Sequence, residues 1–374
     1  MSAPRLDKAW LAREVWPRFS QVLERKEIYL ANHSLGRPPD RAAEDLRRAA
    51  DAWYRDMDRA WNLWMEGREA FRSLTSRLVN GRSSDCIIPK TSAGQGLRAV
   101  LNALPGKPRV LTTDAEFDSL DFILRVYRDK GRIDLKVLPF EAFRLEPCDL
   151  VVVSTVAFRT GQIFPELEET IRASHSQGAK VLLDVYHHAG VLPLDLAALD
   201  ADFAVGGSYK YLRGGPGACW LYVHPRHHAM RTLDTGWFAK KDVFAYERPD
   251  PPQFAPGGDA WLESTPPVLA PFQALAGLEI TLELGVERIR EHNLAQKAVL
   301  KSLLPVQGEG ADHGAFVTLK NADAKVLAAQ LEKEGIKTDA RGEYLRLCPD
   351  YLNFREELEA AAARVLALMR GGGG

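Results

Sequence analysis

Short apolar runs that alternate with segments of helical periodicity make up most of this chain. The run DLVVVSTV (149–156) is continuously apolar and β-branched, as expected of a strand buried on both faces. The segment after it, PELEETIRASHSQG, begins with proline and closes on Gly178, which predicts a helix. Strands separated by helices of this length predict βαβ units and a mainly parallel sheet. Further strands are predicted at 109–113, 135–140, 180–185, 202–207 and 218–223.

The segment before this alternating region has the periodicity of a helix over residues 41–80. Trp53, Met57, Trp61 and Trp64 recur there at steps of four, four and three. This spacing places all four side chains on one face of one helix, which we expect to be a packing face.

The segments after the alternating region predict a loop, a long helix and a small separate unit. The stretch YERPDPPQFAPGG (246–258) is rich in proline and glycine and predicts a surface loop. A helical pattern runs from Pro266 into the 280s and as far as Leu304, and a strand–helix–strand–helix pattern closes the chain. We therefore predict an N-terminal segment (1–50), a large α/β domain (51–265), a linking helix with a small α+β domain (266–370) and a flexible tail (371–374).

Composition and charge exclude several classes of protein. Hydrophobic residues make up 46% and charged residues 26% of the 374 residues, which are ordinary globular values. Lys and Arg number 49 against 50 Asp and Glu, so binding to a polyanion has no electrostatic support. No run of 18 apolar residues would span a membrane, and the start MSAPRLDKAWLAREVW lacks the apolar core of a signal peptide. We expect a cytoplasmic protein that binds neither nucleic acid nor membrane.

The four cysteines, at positions 86, 148, 219 and 348, are too far apart for a CxxC pair or a zinc cluster. Their number and spacing indicate free thiols in a reducing compartment. No metal site is predicted.

Polar clusters follow three of the predicted strands, where ligands bind in open α/β sheets. In KTSAGQG (90–96), Thr91 and Ser92 precede a helix, so their hydroxyls and the free N–H groups are suited to a phosphate, although an ordinary helix cap has the same pattern. In LLDVYHHAG, Asp184 ends an apolar strand and His187 lies three residues later. A carboxylate there needs a partner, unless it caps the next turn.

The third cluster, GGSYKYLRGGPGA (206–218), encloses Lys210 between tyrosines and glycines. Burial would lower the pKa of this amine and free it to form a Schiff base. An isolated lysine in a loop is usually just exposed. Here Asp184 and Lys210 end consecutive strands, and this combination is far more specific than either residue alone.

These motifs, in this order, resemble those of the kynureninase family of fold-type I, class V pyridoxal phosphate enzymes. The motif Asp-x-x-His, followed by Ser-Tyr-Lys-Tyr-Leu-x-Gly-Gly-Pro-Gly, carries most of the resemblance. The other matching segments are YLANHSLGRPP (29–39), AEFDS (115–119), TVAFRTGQIF (155–164), TGWF (235–238), STPPVL (264–269) and RLCPDYLN (346–353). The resemblance implies a fold-type I α/β fold, with a mainly parallel seven-stranded sheet between helices and a smaller α+β C-terminal domain.

The resemblance implies a role for each matching side chain. Lys210 would bond the cofactor, pyridoxal 5'-phosphate, and Asp184 would pair with its pyridinium nitrogen. Tyr209 would transfer a proton during carbon–carbon cleavage. The other cofactor contacts would be Thr91, Ser92, Phe117, Ser119, Ser154 and His187, with Trp237 and Thr265 reaching the phosphate from the partner subunit. The substrate contacts would be Arg346 on the α-carboxylate, together with Ser34, His33 and Trp64.

Activity on kynurenine is the function that the resemblance implies. A homodimer with shared active sites would hydrolyse the Cβ–Cγ bond of L-kynurenine or 3-hydroxykynurenine, a step of tryptophan catabolism. The products would be alanine and anthranilate or its 3-hydroxy form. The chain departs from the family at His33, Leu120 and Cys348, where the family has Asn, Asp and Ser.

Other readings stay open. Another class V enzyme, namely an aminotransferase, an epimerase or a β-lyase, would share the cofactor motifs. A cysteine desulfurase is disfavoured because Tyr209 stands where such enzymes have histidine, and because no cysteine lies between Cys219 and Cys348. A non-catalytic protein of the same fold would not need Lys210, Asp184 and Arg346 together.

Overall fold

The computed structural model describes residues 6–371 and places a seven-stranded sheet at the centre of the molecule. The strands are β1 (Ile28–Tyr29), β2 (Ile87–Lys90), β3 (Arg109–Thr113), β4 (Asp134–Leu138), β5 (Leu150–Ser154), β6 (Lys180–Asp184), β7 (Phe203–Gly207), β8 (Cys219–Val223), β9 (Val317–Lys320), β10 (Ile336–Lys337), β11 (Asp339–Arg341) and β12 (Tyr344–Leu347). The helices are α1 (Lys8–Glu14), α2 (Ser20–Leu23), α3 (Arg41–Asp56), α4 (Ala60–Leu78), α5 (Ala93–Leu101), α6 (Asp118–Asp129), α7 (Leu167–Ser176), α8 (Ala270–Leu284), α9 (Val286–Leu303), α10 (Ala324–Lys333) and α11 (Arg355–Gly371).

The large sheet has the strand order β2-β8-β7-β6-β5-β3-β4, and β8 alone runs antiparallel to its neighbours. The predicted mainly parallel seven-stranded sheet is therefore confirmed. Successive side chains of a strand point to opposite faces, so Leu150 and Val152 pack with helices α5 and α6 on one side. Val151 and Val153 pack with α4, α7 and α8 on the other. The continuous apolar runs of the sequence reflect this burial on both faces.

A smaller unit surrounds the antiparallel sheet β11-β12-β9, which packs with helices α10 and α11 around a separate apolar cluster. Strand β1, near the start of the chain, pairs in parallel with β10 of this unit. Helix α3 runs across residue 50, where the N-terminal segment was predicted to end. Helix α11 includes Gly371, the first residue of the predicted tail, and residues 372–374 lie outside the described part. The predicted domain boundaries remain a prediction.

The single helix predicted over residues 41–80 is wrong. Helix α3 ends at Asp56, Met57 has a φ of 50°, and α4 begins at Ala60, so the chain folds back into two helices that both contact α8. As a result Trp53 and Met57 are 57% and 63% exposed, whereas Trp64 is only 8% exposed. The predicted packing face holds for Trp64 and fails for Trp53 and Met57.

The long helix predicted after Pro266 is also two helices. Gly285, with a φ of +80°, ends α8 and precedes α9. A left-handed backbone of this kind interrupts a right-handed helix and is readily adopted by glycine.

A buried carboxylate stabilises the sheet at the edge opposite the predicted ligand-binding edge. Asp202, just before β7, accepts hydrogen bonds from the Val181 N–H (2.8 Å), the Arg226 guanidinium (2.9 Å), and the rings of His175 (2.8 Å) and His227 (2.6 Å). Burial raises its pKa, but the bonds from His227, His175 and Val181 and the charge of Arg226 together bring it below its usual range. Folding is therefore favoured by keeping this group ionised.

We predict that Asp202→Asn lowers the free energy of unfolding near neutral pH by about 1–3 kcal/mol, because four donors, among them the Arg226 guanidinium, lose a charged acceptor. Since the folded-state pKa is depressed, this contribution is present above the unfolded-state pKa of about 3.9 and is lost as the pH falls through the folded-state value. Urea unfolding across pH would measure it, with the exposed Asp129→Asn as control. If Asp202→Asn lowered the free energy of unfolding as much well below pH ~4 as it does near neutral pH, this assignment would be contradicted.

Candidate active site

A cavity of about 330 Å³ lies at the edge of the sheet where the parallel strands end. Ser154 ends β5, Asp184 ends β6, and Lys210 follows β7 by three residues. Because the carboxyl ends of parallel strands meet at one edge, these three side chains reach the same cavity. The predicted residues that line it are Thr91, Ser92, Phe117, Ser119, Ser154, Asp184, His187, Tyr209 and Lys210.

The Lys210 amine is 5% exposed and lies inside this cavity. Burial lowers the pKa of this amine, although the negative charge of Asp184 raises it in part. Its Nζ hydrogen-bonds to Nε2 of His187 at 2.6 Å, and Nδ1 of that ring lies 3.3 Å from the Tyr211 hydroxyl. Burial also holds the pKa of His187 well below its usual range, so the imidazole is neutral. A lysine in this setting is an available nucleophile near neutral pH.

The Asp184 carboxyl is also 5% exposed, and Oδ1 accepts the Tyr186 N–H at 2.9 Å. Burial raises its pKa, while that hydrogen bond and the charge of Lys210 lower it. A buried carboxylate needs a cation, so this group is suited to a protonated ring nitrogen.

The N-terminus of helix α5 also lines the cavity. Ser92 caps this helix by accepting the Gln95 N–H at 3.1 Å. Thr91 donates its N–H (2.7 Å) and its hydroxyl (3.1 Å) to the side-chain oxygen of Gln95, and Glu263 holds the nitrogen of that amide at 2.9 Å. An anion at this helix end would take over the donors that Thr91 now gives to Gln95.

The HSLG segment of the sequence packs directly beneath the lysine loop. Gly36 donates its N–H to the Tyr209 carbonyl at 2.8 Å, and a Cβ on Gly36 would lie 1.9 Å from the Lys210 carbonyl oxygen. Glycine is required here by this close approach and not by an unusual backbone angle. The small size of Gly36 therefore allows the Lys210 backbone to lie at its observed position.

We predict that Gly36→Ala displaces the Lys210 loop, because the added carbon would overlap the Lys210 carbonyl, a backbone group that cannot turn away as a flexible side chain can. Overpacking of this kind costs about 1–3 kcal/mol, and a displaced lysine should also lose covalent attachment of the cofactor. Thermal unfolding and borohydride labelling would measure the two effects. Gly81→Ala is the control, because its Cβ would meet no backbone atom closer than 3.5 Å, and its nearest neighbour, at 3.3 Å, is the side-chain hydroxyl of Ser76. Full labelling of the Gly36 variant would contradict the prediction.

The predicted substrate residues Arg346, Ser34 and His33 cluster around one carboxylate. Asp339 pairs with the Arg346 guanidinium, accepts the Ser34 hydroxyl at 2.6 Å and lies 3.4 Å from Nε2 of His33. Arg346 also donates to the Phe158 carbonyl and is almost fully buried. The His33 ring centroid lies 6.5 Å from that of His187, which lines the cavity, so this cluster lies beside the cavity without lining it.

Three predicted residues lie away from the cavity wall. The Trp237 indole N–H donates to the Thr265 hydroxyl at 3.0 Å, on a part of the surface where Thr265 is exposed. Trp64 is buried in the core and donates its indole N–H to the Ala49 carbonyl at 3.0 Å. It does not line the cavity of its own chain, and its contact with the substrate stays a prediction.

Glu116, Asp339 and Gln95 were not predicted from the sequence. Glu116 lies beneath the cavity wall and binds the Ser154 hydroxyl at 2.6 Å. The signal for it was its place next to Phe117. Gln95 lies inside the KTSAGQG motif, but its contact with Glu263 depends on the fold. Asp339 had no local signal, because its partners Arg346, Ser34 and His33 come together only in the folded chain. Leu120, which replaces the family's aspartate, is fully buried in the core.

Within residues 6–371, no group of three or more His, Cys, Asp or Glu side chains is arranged to hold a metal ion. None of the helices in this part of the chain is long and apolar enough to cross a membrane.

A model of the family described as aminotransferase class-V matches residues 40–343. The kynureninase of Deinococcus radiodurans is 28% identical over 87% of this chain and 84% of its own length. The kynureninase of Stenotrophomonas maltophilia is 35% identical over 52% of this chain and 47% of its own length. An uncharacterized aminotransferase of Bacillus subtilis, YcbU, is 25% identical over 87% of this chain and 91% of its own.

Solved structures confirm the predicted fold. A complex of the cystine C–S lyase C-DES with cysteine persulfide matches with a TM-score of 0.84 and 19% identity, over 93% of this chain and 98% of that one. The apo cysteine desulfurase of Thermococcus onnurineus NA1 matches with a TM-score of 0.80 and 18% identity, over 99% of this chain and 100% of that one. At these identities the likeness concerns the fold.

Proposed function

This chain belongs to the class-V aminotransferase family, is kynureninase-like, and uses pyridoxal phosphate; from that premise we propose that it hydrolyses the Cβ–Cγ bond of L-kynurenine or 3-hydroxykynurenine. The reaction consumes water and yields alanine with anthranilate or 3-hydroxyanthranilate. The observation that carries the proposal is the kynureninase similarity over 87% of the chain, joined to a cavity that brings Lys210, Asp184 and Tyr209 together.

The residues of the cavity fit pyridoxal phosphate on the chemistry of their donors. The buried amine of Lys210 suits the aldehyde of the cofactor. The buried carboxyl of Asp184 suits its protonated ring nitrogen. The N-terminus of α5 with Thr91 and Ser92 suits a phosphate. The Phe117 ring, with its centroid 5.7 Å from Lys210 Nζ, suits an aromatic face.

The cofactor, once bound, withdraws electrons from the bonds next to the substrate's amino group. In this proposal the Lys210 amine moves protons to and from substrate carbon, and its lowered pKa keeps a useful fraction of it unprotonated. Burial raises the pKa of Tyr209 to about 12, so its hydroxyl keeps its proton near neutral pH. Tyr209 is therefore suited to donate that proton to carbon when the Cβ–Cγ bond breaks.

Arg346 is the proposed partner of the substrate's α-carboxylate. A guanidinium binds a carboxylate through two parallel N–H donors. Here one of these donors binds Asp339 and another binds the Phe158 carbonyl. Binding a substrate therefore requires Arg346 to exchange at least one of these internal acceptors for the substrate's carboxylate oxygen.

The thiols of the chain disfavour a desulfurase. Burial raises the pKa of Cys348 to about 12 and also raises that of Cys219, so neither is an activated nucleophile. An aminotransferase is the second candidate, because YcbU matches over nearly the full length of both chains.

A homodimer with shared active sites belongs to the same proposal. Trp237 and Thr265 are hydrogen-bonded to each other outside the cavity of their own chain. We propose that this pair reaches the phosphate site of the partner subunit. Sedimentation of the purified protein would test the dimer.

The experiment that tests the function is incubation of the purified, cofactor-loaded protein with L-kynurenine and, separately, 3-hydroxykynurenine. We expect anthranilate fluorescence (or its 3-hydroxy analogue) and alanine in equal amounts, without an added oxo acid. An aminotransferase would instead require an oxo acid and would leave the Cβ–Cγ bond intact. Pyruvate or sulfide from other amino acids, without either aryl product, would replace the proposal with a lyase.

A further inference from the structure

A second buried carboxyl group, that of Glu116, lies directly behind the cavity. Glu116 is 4% exposed and precedes Phe117. Its Oε1 accepts the Thr113 hydroxyl at 2.6 Å and the Ser154 N–H at 3.1 Å, and its Oε2 lies 2.6 Å from the Ser154 hydroxyl oxygen. The hydroxyls of Thr113 and Ser154, at the ends of β3 and β5, thus meet at one carboxyl.

In the described part of the chain, the Glu116 carboxyl lacks a cationic partner. Within residues 6–371, no lysine, arginine or histidine forms an ion pair with it, and the charged group that faces it is Asp184, aligned with Ser154 across β5 and β6. Burial, helped by the Asp184 charge, raises the pKa of Glu116 to about 7, although the three hydrogen bonds from Ser154 and Thr113 lower it. Both protonation states are therefore accessible near neutral pH.

The Ser154 hydroxyl connects this acid to the cavity, because Ser154 also lines the cavity wall. A hydroxyl has one hydrogen to donate and two lone pairs that accept. At the short contact with Oε2, the single shared hydrogen belongs either to Glu116 or to Ser154.

We propose that Glu116 is a positioning residue that sets the direction in which the Ser154 hydroxyl donates. When Glu116 is protonated, its Oε2–H donates to Ser154, and the serine hydrogen is free to donate into the cavity. When Glu116 is ionised, it accepts the serine hydrogen, and Ser154 offers only an acceptor to the cavity. One proton lost to solvent therefore converts a donor on the cavity wall into an acceptor.

This switch matters because pyridoxal phosphate carries anionic oxygens, and a donor binds them better than an acceptor does. Loss of one hydrogen bond to a charged group weakens binding by about tenfold or more. The inference rests on the proposed placement of the cofactor in this cavity and not on the identity of the amino-acid substrate.

Cofactor affinity as a function of pH tests the inference. The purified protein would be dialysed against graded pyridoxal phosphate from about pH 6 to about pH 9, on both sides of the Glu116 pKa. The bound fraction is read from the absorbance of the cofactor linked to Lys210. Glu116→Gln keeps an acceptor for Thr113 and the Ser154 N–H, and its amide nitrogen permanently donates to the serine oxygen.

We expect the ratio of the wild-type dissociation constant to that of Glu116→Gln to rise by about tenfold across this pH range. The ratio removes the pH dependence of the cofactor itself. In a Ser154→Ala background the same ratio should stay flat. Thr113→Val removes one donor to the ionised form, so the midpoint of the rise should move to higher pH.

Two outcomes would overturn the inference. A flat ratio in the wild-type background would show that Glu116 does not switch Ser154. A ratio that rises equally in the Ser154→Ala background would assign the effect to Asp184. Circular dichroism and thermal unfolding of each variant identify losses of fold. Borohydride labelling at Lys210 tests the placement of the cofactor separately, so that its failure is distinguishable from failure of the switch.

Discussion

Lys210→Ala is expected to remove both covalent attachment of pyridoxal phosphate and turnover of the substrate. The amine is buried in the cavity beside His187, so no other described lysine is placed to replace it there. A positioned acid or base contributes about 10²–10⁴-fold to a rate, and here the covalent bond to the cofactor is lost as well. Borohydride reduction followed by peptide mapping would measure attachment, and anthranilate release would measure turnover.

The control for this variant is Lys130→Ala, an exposed lysine at the end of α6. It should retain both the label and the activity. A Lys210→Ala protein that is still labelled by borohydride would overturn the assignment of this residue and with it the placement of the cofactor.

Asp184→Asn is expected to lower the turnover number by about 10²–10³-fold while leaving the fold intact. Asparagine has the same shape and can still accept the Tyr186 N–H. It cannot supply the negative charge that keeps a ring nitrogen protonated, so the cofactor loses much of its electron-withdrawing power. Single-turnover kinetics would measure the slowed step, and the absorption spectrum would report the changed ring.

Asp149→Asn is the matched control, because Asp149 is a half-buried aspartate just before β5 that pairs with Arg109, away from the cavity. Its rate should equal that of the wild type. A normal rate in Asp184→Asn would show that this carboxylate does not face the cofactor. A protein that unfolds instead would be recognised by its circular dichroism, and Asp184→Glu would then restore the charge.

The sequence by itself predicted the central sheet and the residues at its ligand-binding edge. Runs such as DLVVVSTV are recognisable because a strand covered by helices on both faces must be apolar throughout. Asp184 and Lys210 were identifiable because a charged residue at the end of such a run is costly without a ligand. These signals, and the order of motifs that combines them, lie in the residue order itself, so no tertiary information was needed.

The tertiary structure decided what depends on contacts between distant segments. The break at Met57, which exposes Trp53 and buries Trp64, follows from how two helices pack on α8. The pairing of Asp339 with Arg346 and the burial of Glu116 behind Ser154 depend on strands that meet only in the folded sheet. Periodicity indicates which side of a helix or strand is buried, but not which groups that side contacts. The free energy of a buried charge depends on those contacts, which form between residues that are distant in sequence.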